Sequence, residues 1–152
     1  MIQQTSRTFY SRAEIIATAR SWIGTPYLHQ ANVKGVGCDC LGLVRGVYRA
    51  LEGFDPEVPP AYTRDWAETT GTETLLTAAT RHLTPVPVIS ARPGDVVVFR
   101  YRSHIPAKHC GILVTPETFV HASEGSHASE VALQHWWRRR IAGAFAFPGT
   151  LD

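Results

Sequence analysis

Between Gly35 and Leu51 the chain reads Gly-Val-Gly-Cys-Asp-Cys-Leu-Gly-Leu-Val-Arg-Gly-Val-Tyr-Arg-Ala-Leu, a turn that runs directly into a helix. Gly35 and Gly37 free the backbone for the turn. Beyond it, Cys40, Leu43, Val44, Val47, Tyr48 and Leu51 recur at three- and four-residue spacing and form one apolar stripe. Asp39 is an N-cap residue at the junction and Gly53 a stop signal. The pattern therefore predicts a helix from about Asp39 to Leu51 with Cys40 in its first turn. There the unpaired N–H groups and the positive end of the helix dipole favour a thiolate. A free cysteine is also a common small buried apolar residue, so Cys40 alone leaves both readings open.

The segments before this helix read as helix and then extended chain. Ser11-Arg12-Ala13-Glu14 forms a capping box, and Ile15, Ile16, Ala19, Trp22 and Ile23 continue it as an amphipathic helix. Gly24-Thr25-Pro26 ends it, and Tyr27 begins an extended segment that leads to the glycine turn. Downstream, Glu52 to Asp65, with Gly53, Pro56, Pro59 and Pro60, reads as an ordered loop. A weaker helix spans Glu73 to Leu83, closed by Pro85 and Pro87.

The second half changes period. Arg92-Pro93-Gly94-Asp95 is a turn that launches the β-branched run Val96-Val97-Val98-Phe99. Lys108 to Val114 alternates His109, Gly111 and Leu113 with Cys110, Ile112 and Val114, while Thr118 to Ala122 puts Phe119 and His121 on a common face. Glu130 to Gln134 and Ala142 to Phe147 are two further short strands. Helices followed by a meander of strands predict an α+β domain, with a small antiparallel sheet against the central helix.

Several function classes are argued against by composition. At 152 residues, with no internal repeat, the chain is expected to form one domain over 1–152. A net charge of +2, carried by scattered basic residues, does not suggest nucleic acid. No stretch approaches a membrane span, and the N-terminus lacks the basic-then-apolar pattern of a secretory signal, so synthesis in the cytoplasm is expected. Three cysteines, an odd number, argue against a disulfide framework.

A nucleophilic cysteine needs a base in hydrogen-bond reach and a third group to orient that base. His109 and His121 sit on strands joined by a hairpin-length turn, where facing Cβ atoms lie about 4.5–5.5 Å apart. His121 is therefore expected beside His109, on the face that receives the start of the Cys40 helix. The same residues, with Cys38 and Cys110, contain enough soft ligands for tetrahedral zinc. Against zinc, Cys-x-Cys is not the usual knuckle, and alternation points Cys110 away from His109. Cys38 and Cys110 then read as a loop and a core residue. His29, His82, His104, His127 and His135 have no partner motif and read as surface or loop residues, and Arg45 and Arg49 as the solvent side of the central helix. Trp136-Trp137-Arg138-Arg139-Arg140 offers an aromatic and cationic docking surface; the plainer reading is a tryptophan anchor beside a solvated arginine run.

Five short motifs follow one another along the chain. They are Gly24-Thr25-Pro26-Tyr27; Gly37-Cys38-Asp39-Cys40-Leu41-Gly42-Leu43-Val44; Arg92-Pro93-Gly94-Asp95 with its strand; His109-Cys110-Gly111-Ile112; and Val120-His121-Ala122. In this order they resemble the NlpC family of papain-like cysteine peptidases, over about residues 11–147. The Cys-Asp-Cys-Leu-Gly version is similar to that of the branch encoded with phage tails and gene transfer agents.

The resemblance implies a papain-like fold and a Cys-His-His triad: Cys40 as nucleophile, His109 as base and acid, His121 orienting His109. The Cys40 N–H and Tyr27 would face the developing oxyanion, and Asp39 would contribute to substrate binding. It implies no metal and no cofactor. It also implies the peptide stems of bacterial cell wall as substrate, typically cut between the γ-carboxyl of D-glutamate and a diamino acid. Leu41 departs from the serine that commonly follows the nucleophile, which bears on substrate preference. A tail tip or baseplate is the expected partner, and the wall or periplasm of a target cell the expected site of action. The alternatives are a tail adaptor that keeps the fold without activity, and the zinc-binding module.

Overall fold

The Ser11 hydroxyl accepts the Glu14 N–H at 3.1 Å and so caps helix α1 (Arg12–Arg20), as the capping box predicts. The computed structural model describes residues 9–57 and 71–152. The predicted continuation of α1 to Ile23 does not form. From Ser21 the chain tightens into turns, with Trp22 N–H bonded to Ala19 O and Thr25 N–H to Trp22 O. Trp22 reaches the core from this turn, whereas Ile23 stays exposed.

A short hairpin, β1 (Asn32–Val33) with β2 (Gly37–Cys38), precedes the central helix α2 (Cys40–Glu52). The predicted caps are both present. Asp39 accepts the Gly42 N–H, and Gly53, at φ +84°, donates its N–H to Arg49 O. Two glycines let α2 sit deep. A Cβ at Gly42 would lie 1.9 Å from Ala31 O, and one at Gly46 2.1 Å from the Trp22 ring.

Helix α3 (Thr74–His82) forms within the predicted Glu73–Leu83 span, with Glu73 and Leu83 as its two cap positions. Glu73 turns instead to Arg100, in an ion pair, and to the Ala107 N–H at 3.1 Å. Pro85 does not simply close this helix. It lies within β3 (Thr84–Val86), an edge strand where a missing N–H is tolerated, followed by one 3-10 turn, Val88–Ser90.

The remaining elements are β4 (Val96–Phe99), β5 (His109–Thr115), β6 (Thr118–His121), β7 (Ser129–Ala132), a short helix α4 (His135–Arg138) and β8 (Ile141–Ala146). Six strands form one antiparallel sheet in the order β3-β8-β4-β5-β6-β7. The fold is α+β, as the change of period predicts. One face of the sheet, through Val96, Val98, Cys110, Ile112 and Val114, packs on Ile15, Leu43 and Val47 of α1 and α2. The opposite face, through Val97, Phe99, Leu113 and Phe119, is closed by Trp137 of α4.

Several side chains lie elsewhere than the linear pattern predicts. Arg45 is not solvent-facing: only 9 % exposed, it makes a two-point ion pair with Asp55 at 2.9 and 3.0 Å. Arg49 donates to Asn32 O at 2.9 Å. The loop after α2 and the β1 hairpin fold back over this helix face, which periodicity cannot reveal. Cys38 is a buried strand residue, not a loop residue. His82 has a partner after all, Glu57 at 2.8 Å. Of the predicted loop from Glu52 to Asp65, positions 58–65 lie outside the described residues.

Candidate active site

Cys40 is the first residue of α2, half-buried at the floor of a cleft of about 170 Å³ that Tyr27, Asp39, Tyr101, Lys108 and His109 also line. Its N–H has no partner in the helix ladder, because first-turn donors have none. Asp39, immediately before it, is 4 % exposed and uses both carboxylate oxygens on backbone. Oδ1 accepts the Gly42 N–H at 2.7 Å and Oδ2 the Gln30 N–H at 2.8 Å. The second bond holds Gln30 at φ +66°, a conformation a non-glycine residue adopts only where surroundings enforce it. Asp39 thus fixes both the helix start and the loop that carries His29 into the cleft.

His109 opens β5, and its ring is buried at 5 % exposure. His109 Nε2 lies 2.8 Å from Nδ1 of His121, the last residue of β6. That bond leaves His109 Nδ1 as the nitrogen that faces the Cys40 thiol. The two histidines share a face, as predicted, but they do not face each other across the hairpin. The register pairs Ile112 with Val120, which sets His121 across from Gly111 and diagonal to His109. Gly111 makes this approach feasible: a Cβ there would lie 2.8 Å from the Phe119 ring and 3.3 Å from the His121 Cβ.

The face itself is also a correction. His109 and His121 lie on the side of Phe99, Phe119 and Trp137, while the body of α2 packs on the other side. Only at the first residues of β5 does the tip of α2 come level with the histidines. Here Cys40 Sγ lies 3.8 Å from Lys108 O.

The electrostatics of this corner differ sharply over a few ångströms. The Cys40 thiol is held well below its ordinary range, first by a hydrogen bond from the Cys110 side chain and then by the charge and hydrogen bond of His109, against the opposing effect of burial. Cys110 is pushed well up by the same hydrogen bond and by burial, which keeps it a protonated donor. Its Sγ lies 3.4 Å from Cys40 O as well, so its single S–H is shared between that oxygen and the Cys40 sulfur. Burial, then the nearby charge of His109, pulls His121 down to about 4, so it stays neutral and accepts from His109. Cys38, buried and beside Asp39 and Cys40, is pushed up to about 12.

The predicted site residues Cys40, His109, Tyr27 and Asp39 therefore meet in one cleft, with His121 behind His109. Three neighbours escaped sequence reasoning. Cys110 is on the α2 face of its strand, yet lies under Cys40. The Tyr101 and Trp137 rings are stacked beside His109, at centroid distances of 5.8 and 5.5 Å with interplanar angles of 27° in both cases. The signal for Trp137 was the Trp-Trp pair before the arginine run; nothing local marked Tyr101. Among the described residues, no three His, Cys, Asp or Glu side chains are grouped to hold a metal ion.

The arrangement agrees with an independent comparison of the whole chain. The model of the NlpC/P60 family matches residues 24–145. The chain belongs to the NlpC/P60 family. A gamma-DL-glutamyl hydrolase from Bacillus subtilis is 25 % identical over 134 residues, 88 % of this chain. The present chain covers only 29 % of the length of that relative. Among solved structures, the NlpC/p60 domain of the peptidoglycan hydrolase SagA superposes with a TM-score of 0.66 at 23 % identity, covering 90 % of this chain and 98 % of that one. An NlpC/P60 family protein from Bacillus cereus gives 0.67 at 17 % identity over 92 % of this chain and 41 % of its own. The peptidoglycan hydrolase RipB from Mycobacterium tuberculosis gives 0.59 at 16 % identity, over 90 % and 64 %. These similarities show the papain-like fold of the NlpC/P60 domain.

Proposed function

We propose that this NlpC/P60 domain is a cysteine endopeptidase that hydrolyses the peptide stems of bacterial cell wall, at the amide between γ-linked D-glutamate and a diamino acid. The observation that carries the reading is the cleft in which a helix-tip cysteine with a depressed pKa meets a histidine that is itself bonded to a second, neutral histidine. The Bacillus subtilis relative, a gamma-DL-glutamyl hydrolase, supports the choice of bond.

In this mechanism His109 and Cys40 form an imidazolium–thiolate pair. The thiolate attacks the amide carbonyl, and the Cys40 N–H receives the oxyanion, with the Tyr27 hydroxyl as a second donor. His109 passes its Nδ1 proton to the leaving amine, and the thioester forms. Now neutral, His109 accepts a proton from water, which attacks the thioester and releases the acid. Throughout, His121 Nδ1 accepts from His109 Nε2 and keeps the ring turned toward sulfur.

We further propose that the domain reaches the wall with a phage-like tail, a reading supported by the Cys38-Asp39-Cys40-Leu41-Gly42 motif. Mass spectrometry of peptidoglycan fragments treated with the protein, beside a Cys40→Ala control, tests the chemistry. New termini at one stem bond, absent with the variant, are expected; intact fragments in both would favour a structural adaptor. For delivery, the protein is expected to cosediment with purified particles, and its absence from them would remove the tail.

A further inference from the structure

The hydrolytic steps use the sulfur of Cys40 and leave a second sulfur beside it without a part. Cys110 lies 1 % exposed on the α2 side of β5, in register with Val98 of β4. Its sulfur is 3.4 Å from Cys40 O and hydrogen-bonded to the Cys40 sulfur. An aliphatic side chain would fill this place in the core without an S–H.

The two sulfurs differ in access and in charge. Cys40 is half-buried at the floor of the catalytic cleft, where small solutes reach it, and it is held as the thiolate. Low-pKa cysteines within reach of solvent are the ones that peroxides oxidise. Cys110 is screened behind it as a protonated thiol. The third cysteine, Cys38, is fully buried in β2, with its N–H bonded to Pro26 O and its carbonyl to the Leu28 N–H. Those bonds fix Cys38 from both sides. Cys110 is less confined, because an apolar cavity of about 160 Å³ borders it together with Leu41, Val96 and Val98. A disulfide holds its sulfurs about 2.05 Å apart. From hydrogen-bond contact, rotation about the two Cα–Cβ bonds covers the difference.

We propose that Cys40 and Cys110 are a reversible redox pair, in which a peroxide oxidises Cys40 to a sulfenic acid and Cys110 resolves it into an intramolecular Cys40–Cys110 disulfide. In the first step the Cys40 thiolate attacks one peroxide oxygen, the O–O bond breaks, and the departing hydroxide takes the proton of the His109 imidazolium. In the second, the Cys110 sulfur attacks the Cys40 sulfur, the S–O bond breaks, and the hydroxyl leaves as water with the Cys110 proton. The two sulfurs give up two electrons, and one peroxide becomes two waters. The first step also removes the negative charge on Cys40 that, with burial, keeps the proton on Cys110. Oxidation therefore readies the resolving thiol. The disulfide silences the nucleophile but stops it short of sulfinic acid, which thiols do not reverse.

The test is mass spectrometry of the full-length protein after hydrogen peroxide, with free thiols alkylated before digestion. A peptide pair joined through Cys40 and Cys110, lighter by two hydrogens, is expected, and dithiothreitol should restore both thiols. The same link should form in Cys38→Ala, which separates Cys40 from its neighbour on one peptide. In Cys110→Ala, Cys40 should pass to sulfinic acid and resist dithiothreitol. Sulfinic acid at Cys40 of the parent beside a free Cys110 overturns the proposal. So does a link through Cys38, a parent left fully reduced, or a Cys110→Ala protein that dithiothreitol still restores. These readouts follow thiols and not hydrolysis, so they stand apart from the peptidase reading. A link in a protein that never cleaves peptidoglycan would keep the redox pair and remove the peptidase; cleavage without a link would do the reverse.

Discussion

Cys38 and Cys40 stand two positions apart, yet their sulfurs differ in what they face. Cys38 has burial and the charges of Asp39 and Cys40, and its proton is held up to about 12. Cys40 has the Cys110 donor and His109, and its proton is released early. The Cys110 contribution predicts a measurable loss. In Cys110→Val, the pH midpoint for alkylation of Cys40 by iodoacetamide should rise relative to the parent, and an unchanged midpoint would show that Cys110 only packs. His121 carries a second prediction. Its pKa is about 4 in the fold against 6.5 for the unperturbed ring. Between those values the unfolded chain binds the additional proton and the folded one does not, so stability is complete above pH 6.5 and falls as pH drops toward 4. The loss is about 3 kcal/mol at most. Urea titrations at pH 7 and 4.5 should show His121→Gln losing about 2 kcal/mol less than the parent over this interval. The same variant is expected to lower kcat by roughly 10²-fold, since His109 loses the acceptor that turns it toward sulfur.

Between elements, the seat of α2 decides whether Cys40 reaches the histidines. The helix is pressed against its neighbours through Gly42 and Gly46, where the Ala31 carbonyl and the Trp22 ring occupy the space of a side chain. Gly46→Ala should force the indole away and lower stability by about 2–3 kcal/mol, despite alanine's better helix propensity. Thermal unfolding measures this, and in a Trp22→Leu background the same alanine should cost less than about 1 kcal/mol. An equal cost in both backgrounds would place the strain elsewhere. The strand pair obeys a similar rule: Gly111 leaves the gap through which the two imidazoles meet.

Over the whole molecule, helix α1 near the start of the chain is tied to the entry of β4 by one largely buried contact. Arg12 of α1 donates Nη1 to Asp95 at 2.9 Å and to Pro93 O at 3.0 Å, and Asp95, 1 % exposed, also accepts the Arg92 N–H at 2.9 Å. The Arg-Pro-Gly-Asp turn is thus both the entry to β4 and the anchor of α1. Asp95→Ala leaves a mostly buried guanidinium without its buried carboxylate, with Pro93 O and the exposed Asp152 still in reach, and should lower stability by about 3 kcal/mol, measured by urea unfolding. A loss below about 1 kcal/mol would mean that water replaces the carboxylate. The mid-chain arginine pair with Asp55 and the Glu73–Arg100 contact act similarly, locking loops that no apolar pattern specifies.

What the sequence alone determined is local and periodic. Capping residues placed the start of α1 and both ends of α2, and the strand patterns placed β4 to β8 to within a few residues, while the short β1, β2 and β3 left no such pattern. Spacing put Cys40 in a first helical turn and both histidines on one strand face. These features depend on a few neighbouring residues and on backbone geometry, so they survive reading in one dimension. The tertiary structure decided everything that depends on which faces meet. It put the histidines on the side of Phe99 and Trp137, away from the body of α2. It brought Cys110 under Cys40, stacked Tyr101 on His109, and turned Arg45 from solvent to Asp55. Periodicity reports that a face is covered; what covers it comes from residues tens of positions away.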